Sequence, residues 1–267
     1  MLLAVDVGNT NVVVGVFKDE QLRATWNLFT DIYKTADEYT ALLRNLLADK
    51  NIAMDDINGA IVSCVAPQLL YIFEGLCKRS FGFRPLIVGA GIRTGVKLNY
   101  DNPREVGADR VVNAVAAHHL YKEQMIIIDF GTATSLEVVS AEGHFLGGAV
   151  APGIGISAEA LFKQTAMLPR VELHSPGKAI GKNTVAAMQS GLIYGYVGLI
   201  EGLVERMKRE MDGDVKVLAT GGLAPTIARE TKVIDEVIPE LTLIGLRLIY
   251  ELNANHPQRK GDDNASG

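Results

Sequence analysis

Two stretches of the sequence place a carboxylate, a glycine and small hydroxyl or amide residues directly after an apolar run. Ala4 to Phe17 reads AVDVGNTNVVVGVF, and Ile126 to Val139 reads IIIDFGTATSLEVV. In each turn the backbone N–H groups, an uncrowded glycine and the neighbouring Asn or Thr side chains can donate hydrogen bonds to phosphate oxygens. A single Asp-Gly turn with Asn or Thr is also ordinary hairpin chemistry. The repetition of the pattern favours two phosphate-binding turns.

The aspartates of these turns, Asp6 and Asp129, indicate a cation as well as a phosphate. A carboxylate repels a phosphate unless a cation lies between them, and Mg²⁺ typically binds one or two carboxylates together with waters and substrate phosphates. A third signal, Ala219 to Ala224 with the sequence ATGGLA, lies between an apolar strand and a helix. A base or ribose can approach the backbone there, although a plain strand-to-helix turn has the same pattern. Together the three stretches predict a site for a metal-bound nucleotide.

The elements that must position these turns occur in the same order in both halves of the chain. Alternating apolar residues predict strands at the start of each half, and apolar residues at helical spacing predict the helices that follow. In the first half we expect three strands, a helix over Asp37 to Lys50 and, at the end, one helix over Pro103 to Tyr121. From Gln124 the order repeats. Internal duplication is the simplest account, and it predicts an α/β protein with two mixed sheets, each with helices on its faces.

The predicted domain division follows the repeat. Residues 1–120 form the first domain and residues 121–254 the second. Residues 255–267 are polar and are expected to form a disordered tail, because they cannot bury enough apolar surface to order themselves. Sheets of this kind bind ligands at their strand ends, so the nucleotide is expected in a cleft between the two copies.

The composition restricts the class of protein. Of the 267 residues, 48% are apolar and 21% charged, with a formal net charge of -5, which is typical of a soluble globular protein. No run of Lys and Arg alternates with aromatic residues, so nucleic-acid binding is not expected. Cys64 and Cys77 lack metal-binding spacing and are expected to be reduced thiols. The start of the chain lacks an export signal, and the longest uncharged stretch, Asn183 to Ile200, contains polar residues, so we expect a cytoplasmic protein without a membrane segment.

Several of these motifs resemble a known superfamily. DVGNTN, DFGTAT and ATGG, in this order, resemble the phosphate-one, phosphate-two and adenosine motifs of the actin, sugar-kinase and heat-shock ATPase superfamily. Within it, the stretch YDNPREVGADRVVNAVAAHH, together with GTATSLEVV, GGAVAPGI and GKNTVAAMQSG, resembles type III pantothenate kinase. The resemblance runs from Leu2 to about Asn253. It implies duplicated ribonuclease-H-like domains, which is the actin-like ATPase fold.

The resemblance implies phosphorylation of pantothenate to 4'-phosphopantothenate with ATP, the first step of coenzyme A biosynthesis, with Asp109 as the catalytic base. The residue types suit these roles. An aspartate in the turn Val106 to Asp109 can accept the proton of an attacking hydroxyl, and the planar guanidinium of Arg110 suits a substrate carboxylate. From the residues alone, a buried ion pair between Asp109 and Arg110 is the alternative.

The resemblance also implies a set of ligand contacts. For ATP these are the first turn and one residue of the second, namely Asp6, Val7, Gly8, Asn9, Thr10, Asn11, Val12, Val13 and Thr132. For pantothenate they are Tyr100, Gly107, Ala108, Asp109, Arg110 and Thr184. Asp129 is implied to hold the potassium or ammonium ion that the family requires, and Asp6 to bind Mg²⁺ directly or through water.

Members of the family are homodimers whose substrate site lies at or near the subunit contact. The glycines spaced along Gly191 to Gly202 allow close approach of another backbone, so this predicted helix is a candidate for part of the contact. Thr184 begins the same helix, and the residues alone leave an N-terminal cap shared with Asn183 as its role.

Two alternative functions remain at the level of the sequence. One is another small-molecule kinase or a phosphohydrolase of the same superfamily. The other is a regulatory protein that keeps the fold without catalysis. Intact Asp6, Asp109 and Asp129 argue against the second alternative.

Overall fold

The computed structural model describes residues 1–254, and the predicted disorder of residues 255–267 lies outside the described residues. The strands, in chain order, are β1 Leu2–Val7, β2 Asn11–Lys18, β3 Gln21–Phe29, β4 Gly59–Cys64, β5 Leu86–Ile87, β6 Lys97–Leu98, β7 Met125–Phe130, β8 Ala133–Val139, β9 His144–Pro152, β10 Lys216–Thr220 and β11 Glu236–Val237. The helices are α1 Ala36–Asp49, α2 Pro67–Phe81, α3 Ala108–Tyr121, α4 Ile154–Gln164, α5 Thr184–Arg209, α6 Ala224–Ala228 and α7 Leu241–Ala254. Met54–Asp56 and Pro103–Glu105 form short 3-10 turns.

The strands form two mixed sheets with the same topology. The first has the order β3-β2-β1-β4-β5, and the second contains β9-β8-β7-β10-β11, with β6 added beside β9. In both sheets the first strand pairs antiparallel with the next strand of the chain and parallel with the strand on its other side. The predicted duplication and fold class are therefore confirmed.

Helix α3 packs between the two sheets. Val111, Val112 and Val115 join the core that α3 shares with α7 and the first sheet. Ala114 and Ala117 join the core formed with the second sheet. Because α3 buries apolar residues on two of its sides, the helix is fixed against both halves of the protein at once.

Two segments connect the halves across the predicted domain division. The short strand β6, from the first 120 residues, pairs with β9 of the second sheet, and α7, from the end of the described chain, packs against β1 and β4 of the first sheet. The division at residues 120 and 121 stays a prediction.

No helix within residues 1–254 combines the length and the apolar composition needed to cross a bilayer.

The prediction of one continuous helix from Pro103 to Tyr121 is wrong. Pro103 starts only a 3-10 turn, in which the Asn102 side chain accepts a hydrogen bond from the backbone N–H of Arg104 at 3.3 Å. The backbone is extended at Val106, and Gly107 is the N-cap of α3. The break places Asp109 in the first turn of a new helix, where an acidic side chain is favoured by the exposed N–H groups.

Candidate active site

The two predicted phosphate turns meet in the structure. The hydroxyl oxygens of Thr10 and Thr132 are 2.8 Å apart, so one donates a hydrogen bond to the other across the two halves. The first turn is held from outside by Thr30, whose backbone N–H donates to the Thr10 carbonyl at 2.9 Å and whose hydroxyl donates to the Gly8 carbonyl at 2.8 Å. Within this turn Gly8 donates to the Asn11 carbonyl at 2.9 Å. The turns therefore form one continuous polar surface.

The residues predicted to contact ATP differ in what they can offer a ligand. Asn9, Thr10 and Asn11 are exposed, whereas Val7 and Val12 are buried opposite each other on paired strands. The buried valines could contact a ligand only through their backbone. A Cβ at Gly8 would lie 2.9 Å from the Asn11 carbonyl oxygen, so the turn requires glycine there.

Asp6 and Asp129 occupy equivalent positions in the two sheets. Each is the fifth residue of a six-residue strand that leads into its turn. Asp129 accepts a hydrogen bond from Nδ2 of Asn113 at 3.1 Å, and Oδ1 of Asn113 accepts one from the hydroxyl of Thr242 at 2.7 Å. The Oδ1 atom of Asp6 is buried and has no hydrogen-bond partner within residues 1–254.

Asp109 lies close enough to both of these aspartates to repel them. Burial, and then the charges of Asp109 and Asp129, raise the pKa of Asp6 from 3.8 to about 7. Burial and the charge of Asp109 raise the pKa of Asp129 from 3.8 to about 6, although its hydrogen bond from Asn113 acts in the opposite direction. A cation near Asp6 and Asp129 would offset the repulsion that raises the pKa of these two carboxyls.

The start of α3 fixes the orientation of Asp109. Its Oδ1 atom accepts a hydrogen bond from the backbone N–H of Arg110 at 2.9 Å. A Cβ on Gly107 would lie 2.5 Å from the same Oδ1 atom, so only glycine leaves room for the carboxylate in this position. Ala108 is partly buried beside it.

Arg110 is held against the second sheet by Glu137 and Phe145. Its Nε donates to Oε1 of Glu137 at 2.7 Å, and its guanidinium carbon lies 5.4 Å from the centre of the Phe145 ring. The Tyr100 ring meets Phe145 edge-on, with the ring centres 6.0 Å apart. Burial lowers the pKa of Arg110, but Glu137 and Tyr100 act more strongly together and the net direction is upward.

Thr184 is the predicted site residue that lies apart from the others. It is exposed at the start of α5, where Asn183 is the N-cap and accepts a hydrogen bond from the Ala186 N–H at 2.9 Å. Within the described chain, no hydrogen bond, ion pair or ring contact joins Thr184 to the other predicted residues. In one copy of the chain, residues 1–254 provide no such contact to tie Thr184 to the cluster.

Two residues at the centre of this site, Glu137 and Asn113, were not predicted. Both are buried, with exposed fractions of 0% and 1%. Each is one polar side chain within an apolar run, in LEVV and VVNAVAA respectively. An isolated polar residue in an apolar strand or helix is the signal that could have identified them.

The glycine pair of the ATGG stretch has a different role at each position. Gly221 has a φ of +92°, and a Cβ there would lie 2.7 Å from Oδ1 of Asp129 and from the Phe130 backbone. A Cβ on Gly222 would contact nothing within 4 Å among residues 1–254. Gly221 is therefore required by the close approach of Asp129, and Gly222 alone leaves open space for a ligand.

The chain also matches a family of known proteins. The sequence profile of a family described as type III pantothenate kinase matches residues 2–206. The chain belongs to the type III pantothenate kinase family. This confirms the predicted family, and it makes the protein a kinase that uses ATP with a divalent metal and a small-molecule acceptor.

Solved structures show the same architecture at low sequence identity. A protein described as a Baf family transcriptional activator from Campylobacter jejuni has a TM-score of 0.60 and 18% identity, over 95% of this chain and 99% of the other. One described as a 2-dehydro-3-deoxygalactonokinase from Sinorhizobium meliloti has a TM-score of 0.59 and 12% identity, over 99% and 100%. Ethanolamine utilization protein EutJ from Carboxydothermus hydrogenoformans has a TM-score of 0.54 and 15% identity, over 92% and 89%. At these identities the likeness shows the fold alone.

The residues present fit the divalent metal that a kinase of this family requires. Within residues 1–254, no group of three or more His, Cys, Asp and Glu side chains is arranged to hold a metal by itself. Mg²⁺ needs no such cage in kinases, because it takes most of its ligands from substrate phosphates and water. The unpartnered Oδ1 of Asp6, on the strand that leads into the first turn, is an oxygen of the kind that Mg²⁺ prefers.

Proposed function

We propose that this protein transfers the γ-phosphoryl group of ATP to the primary hydroxyl of pantothenate, giving 4'-phosphopantothenate. The observation that carries the proposal is the position of Asp109. It lies in the first turn of α3, beside the aspartates of both phosphate turns. A carboxylate at this point stands where an acceptor hydroxyl would meet a polyphosphate held by the turns.

The two turns bind the polyphosphate from opposite sides. Thr10 and Thr132 donate their hydroxyl hydrogens to phosphate oxygens once a ligand separates them, and the backbone N–H groups around Gly8 add further donors. Asp6 would hold Mg²⁺ directly or through water, and the metal would supply positive charge to offset that of the phosphates. Positioning and electrostatic stabilisation account for most of the catalysis in phosphoryl transfer.

Asp109 accepts the proton of the attacking hydroxyl. Its Oδ1 atom is occupied by the N–H of Arg110, which leaves Oδ2 to face the acceptor. As the hydroxyl proton moves to the carboxylate, the acceptor oxygen forms a bond to the γ-phosphorus, the bond to the bridging oxygen breaks and ADP leaves.

Arg110 and Tyr100 bind the other end of the acceptor. Pantothenate carries a carboxylate, and a guanidinium fork is the group best suited to it. Arg110 follows Asp109 directly, so the residue that binds the carboxylate and the residue that takes the proton share one rigid helix end. This arrangement fixes the distance between the group that binds the carboxylate of the acceptor and the group that takes the proton of its hydroxyl.

Asp129 is our candidate for the potassium or ammonium ion. Its pKa is raised to about 6, so a bound cation would relieve a carboxylate that is otherwise costly to ionise. The Asn113 amide keeps one of its oxygens fixed. Replacement of Asp129 by Ala is expected to weaken the dependence of turnover on potassium.

We further propose a homodimer in which α5 contributes to the contact. Among residues 1–254, a Cβ at Gly191, Gly195 or Gly198 would contact nothing within 4 Å, so there is open space beside this long helix at three of its glycines. Ile180, just before the helix, is 84% exposed, and Val185, in its first turn, is 42% exposed. A partner on this face would cover both, and it would bring the exposed Thr184 towards a second copy of the site.

The proposal is tested by ADP formation with ATP, Mg²⁺ and a panel of acceptors, in potassium or in sodium alone, with the product identified by mass spectrometry. We expect turnover that requires pantothenate and is faster in potassium. Turnover with a hexose or sugar acid instead would establish a different kinase of this fold. ATP loss without an acceptor would indicate a hydrolase, and pantothenate binding without turnover would favour a regulatory protein.

A further inference from the structure

Glu137 is a carboxylate buried in the middle of the second sheet. It lies on β8, opposite Ile127 on β7 and Gly148 on β9, and its side chain has an exposed fraction of 0%. Its Oε1 atom accepts the hydrogen bond from Nε of Arg110 at 2.7 Å. Its Oε2 atom is buried and has no hydrogen-bond partner within residues 1–254.

The ion pair between Arg110 and Glu137 is not expected to add much to the stability of the fold. Burial raises the pKa of Glu137 to about 7 even though Arg110 and Ser135 lower it, which shows that its environment disfavours the charge. When apolar residues of similar volume replace a buried ion pair, the stability of the protein often stays the same or increases. An unpaired buried carboxylate oxygen adds a further cost. The pair therefore points to a role beyond packing.

The geometry around Arg110 indicates what that role is. Glu137 occupies Nε, and the Phe145 ring lies against the guanidinium. The remaining N–H donors are on the two terminal nitrogens, and the side chain of Tyr100 lies within hydrogen-bonding reach of the guanidinium. A long side chain that is only 16% exposed and held at Nε has few orientations left.

We propose that Glu137 is a positioning residue that orients the Arg110 guanidinium towards the carboxylate of the acceptor and so sets the preference for an acidic over a neutral acceptor. The inference rests on the proposed function, because pantothenate supplies the carboxylate. Glu137 itself touches neither the acceptor nor ATP. Its effect reaches the reaction through the orientation of Arg110 alone.

The test compares Glu137→Gln with the wild type on pantothenate and on pantothenol, the analogue in which an alcohol replaces the carboxylate. Kinetic constants and calorimetric dissociation constants are measured for both. In Glu137→Gln we expect KM and Kd for pantothenate to rise about 10-fold or more, the usual effect of a lost charge-assisted hydrogen bond. The constants for pantothenol and the KM for ATP should change by less than about 3-fold. Glu20→Gln, at an exposed turn, is the matched control and should behave as the wild type.

A double-mutant cycle separates positioning from a general structural effect. If Glu137 acts through Arg110, Glu137→Gln should cause no further loss of pantothenate affinity in an Arg110→Gln background. Equal losses in both backgrounds would overturn the inference. So would equal losses on pantothenate and pantothenol, or an unchanged pantothenate KM in folded Glu137→Gln.

Folding is monitored by circular dichroism and thermal unfolding. Glu137→Asp gives a second test, because it keeps the charge while withdrawing it from Nε. It should lose part of the preference for pantothenate, and a full preference in folded Glu137→Asp would count against the inference. A wild type without pantothenate-dependent turnover would overturn the proposed function and this inference together, whereas an active wild type with an unaffected Glu137→Gln would overturn this inference alone.

Discussion

The hydroxyls of Thr10 and Thr132 lie 2.8 Å apart although 122 residues separate them in the chain. Each belongs to a turn that follows an aspartate-bearing strand, and the strands occupy equivalent places in two sheets of the same topology. The contact shows that the duplicated turns face each other, so that a polyphosphate inserted between them would be held from both sides.

Replacement of Thr132 by Val should weaken the use of ATP. The change removes a hydroxyl that can donate to a phosphate oxygen, and hydrogen bonds to charged groups are worth enough to lower kcat/KM for ATP roughly 10-fold. The thermal midpoint should change little, because the hydroxyl pair is exposed. Thr25→Val, on the exposed side of β3, is the control. An unchanged kcat/KM for ATP in Thr132→Val would remove this residue from the phosphate site.

Replacement of Gly107 by Ala should impair turnover, although Asp109 itself is not replaced. The new Cβ would lie 2.5 Å from Oδ1 of Asp109, so the carboxylate or the start of α3 must move. A misplacement of about 1 Å can cost roughly 100-fold in rate, and kcat is the quantity to measure. Gly89→Ala is the control, because a Cβ there meets nothing within 4 Å. Equal kcat values for the two variants would show that the placement of Asp109 is not critical.

Replacement of Asp6 by Asn should change how stability depends on pH in the ligand-free protein. Because burial and nearby carboxylates raise the pKa of Asp6 from 3.8 to about 7, the folded chain binds this proton more tightly than the unfolded chain. The free energy of unfolding therefore falls as the pH rises from about 4 to about 7. In Asp6→Asn this loss disappears. Urea unfolding should therefore show that the free energy of unfolding of the variant rises relative to that of the wild type between pH 5 and pH 8. Curves of unfolding free energy against pH that run parallel for Asp6→Asn and the wild type would contradict the raised pKa. Asp55→Asn, at an exposed position, is the control.

Replacement of Asn113 by Ala should destabilise the protein. The amide donates to Asp129 and accepts from Thr242, so its removal leaves two partly buried partners unsatisfied. We expect the free energy of unfolding to fall by about 1 to 3 kcal/mol. Denaturant unfolding measures this directly, and Asn27→Ala on the exposed side of β3 should cost far less. A variant as stable as that control would show that Asn113 does not support Asp129.

The parts of the site that lie within one continuous stretch were predictable from the sequence. Asp6 and Asp129 each end an apolar strand, and the glycines and hydroxyl residues follow at once, so pattern and chemistry coincide locally. The repeated order of elements also predicted the two mixed sheets. These features depend on short-range alternation and turn chemistry, which the sequence displays directly.

The parts that depend on contacts between distant residues were not predictable. The bond from Arg110 to Glu137 and the link from Asn113 to Asp129 require α3 to lie against the second sheet, which no local pattern reveals. The break at Gly107 also escaped prediction, because the sequence from Pro103 onward has helical spacing on both sides of it. The short distance from a Cβ at position 107 to the Asp109 carboxylate explains why glycine stands at the break.

The measurement that tests the central claim most directly is pantothenate-dependent ADP formation by Asp109→Asn, with the wild type and Asp55→Asn in parallel. If Asp109 takes the proton of the attacking hydroxyl, its replacement should lower kcat by roughly 10²- to 10⁴-fold while the pantothenate Kd stays within about 3-fold of the wild type. A folded Asp109→Asn variant that forms ADP at nearly the wild-type rate would contradict the account.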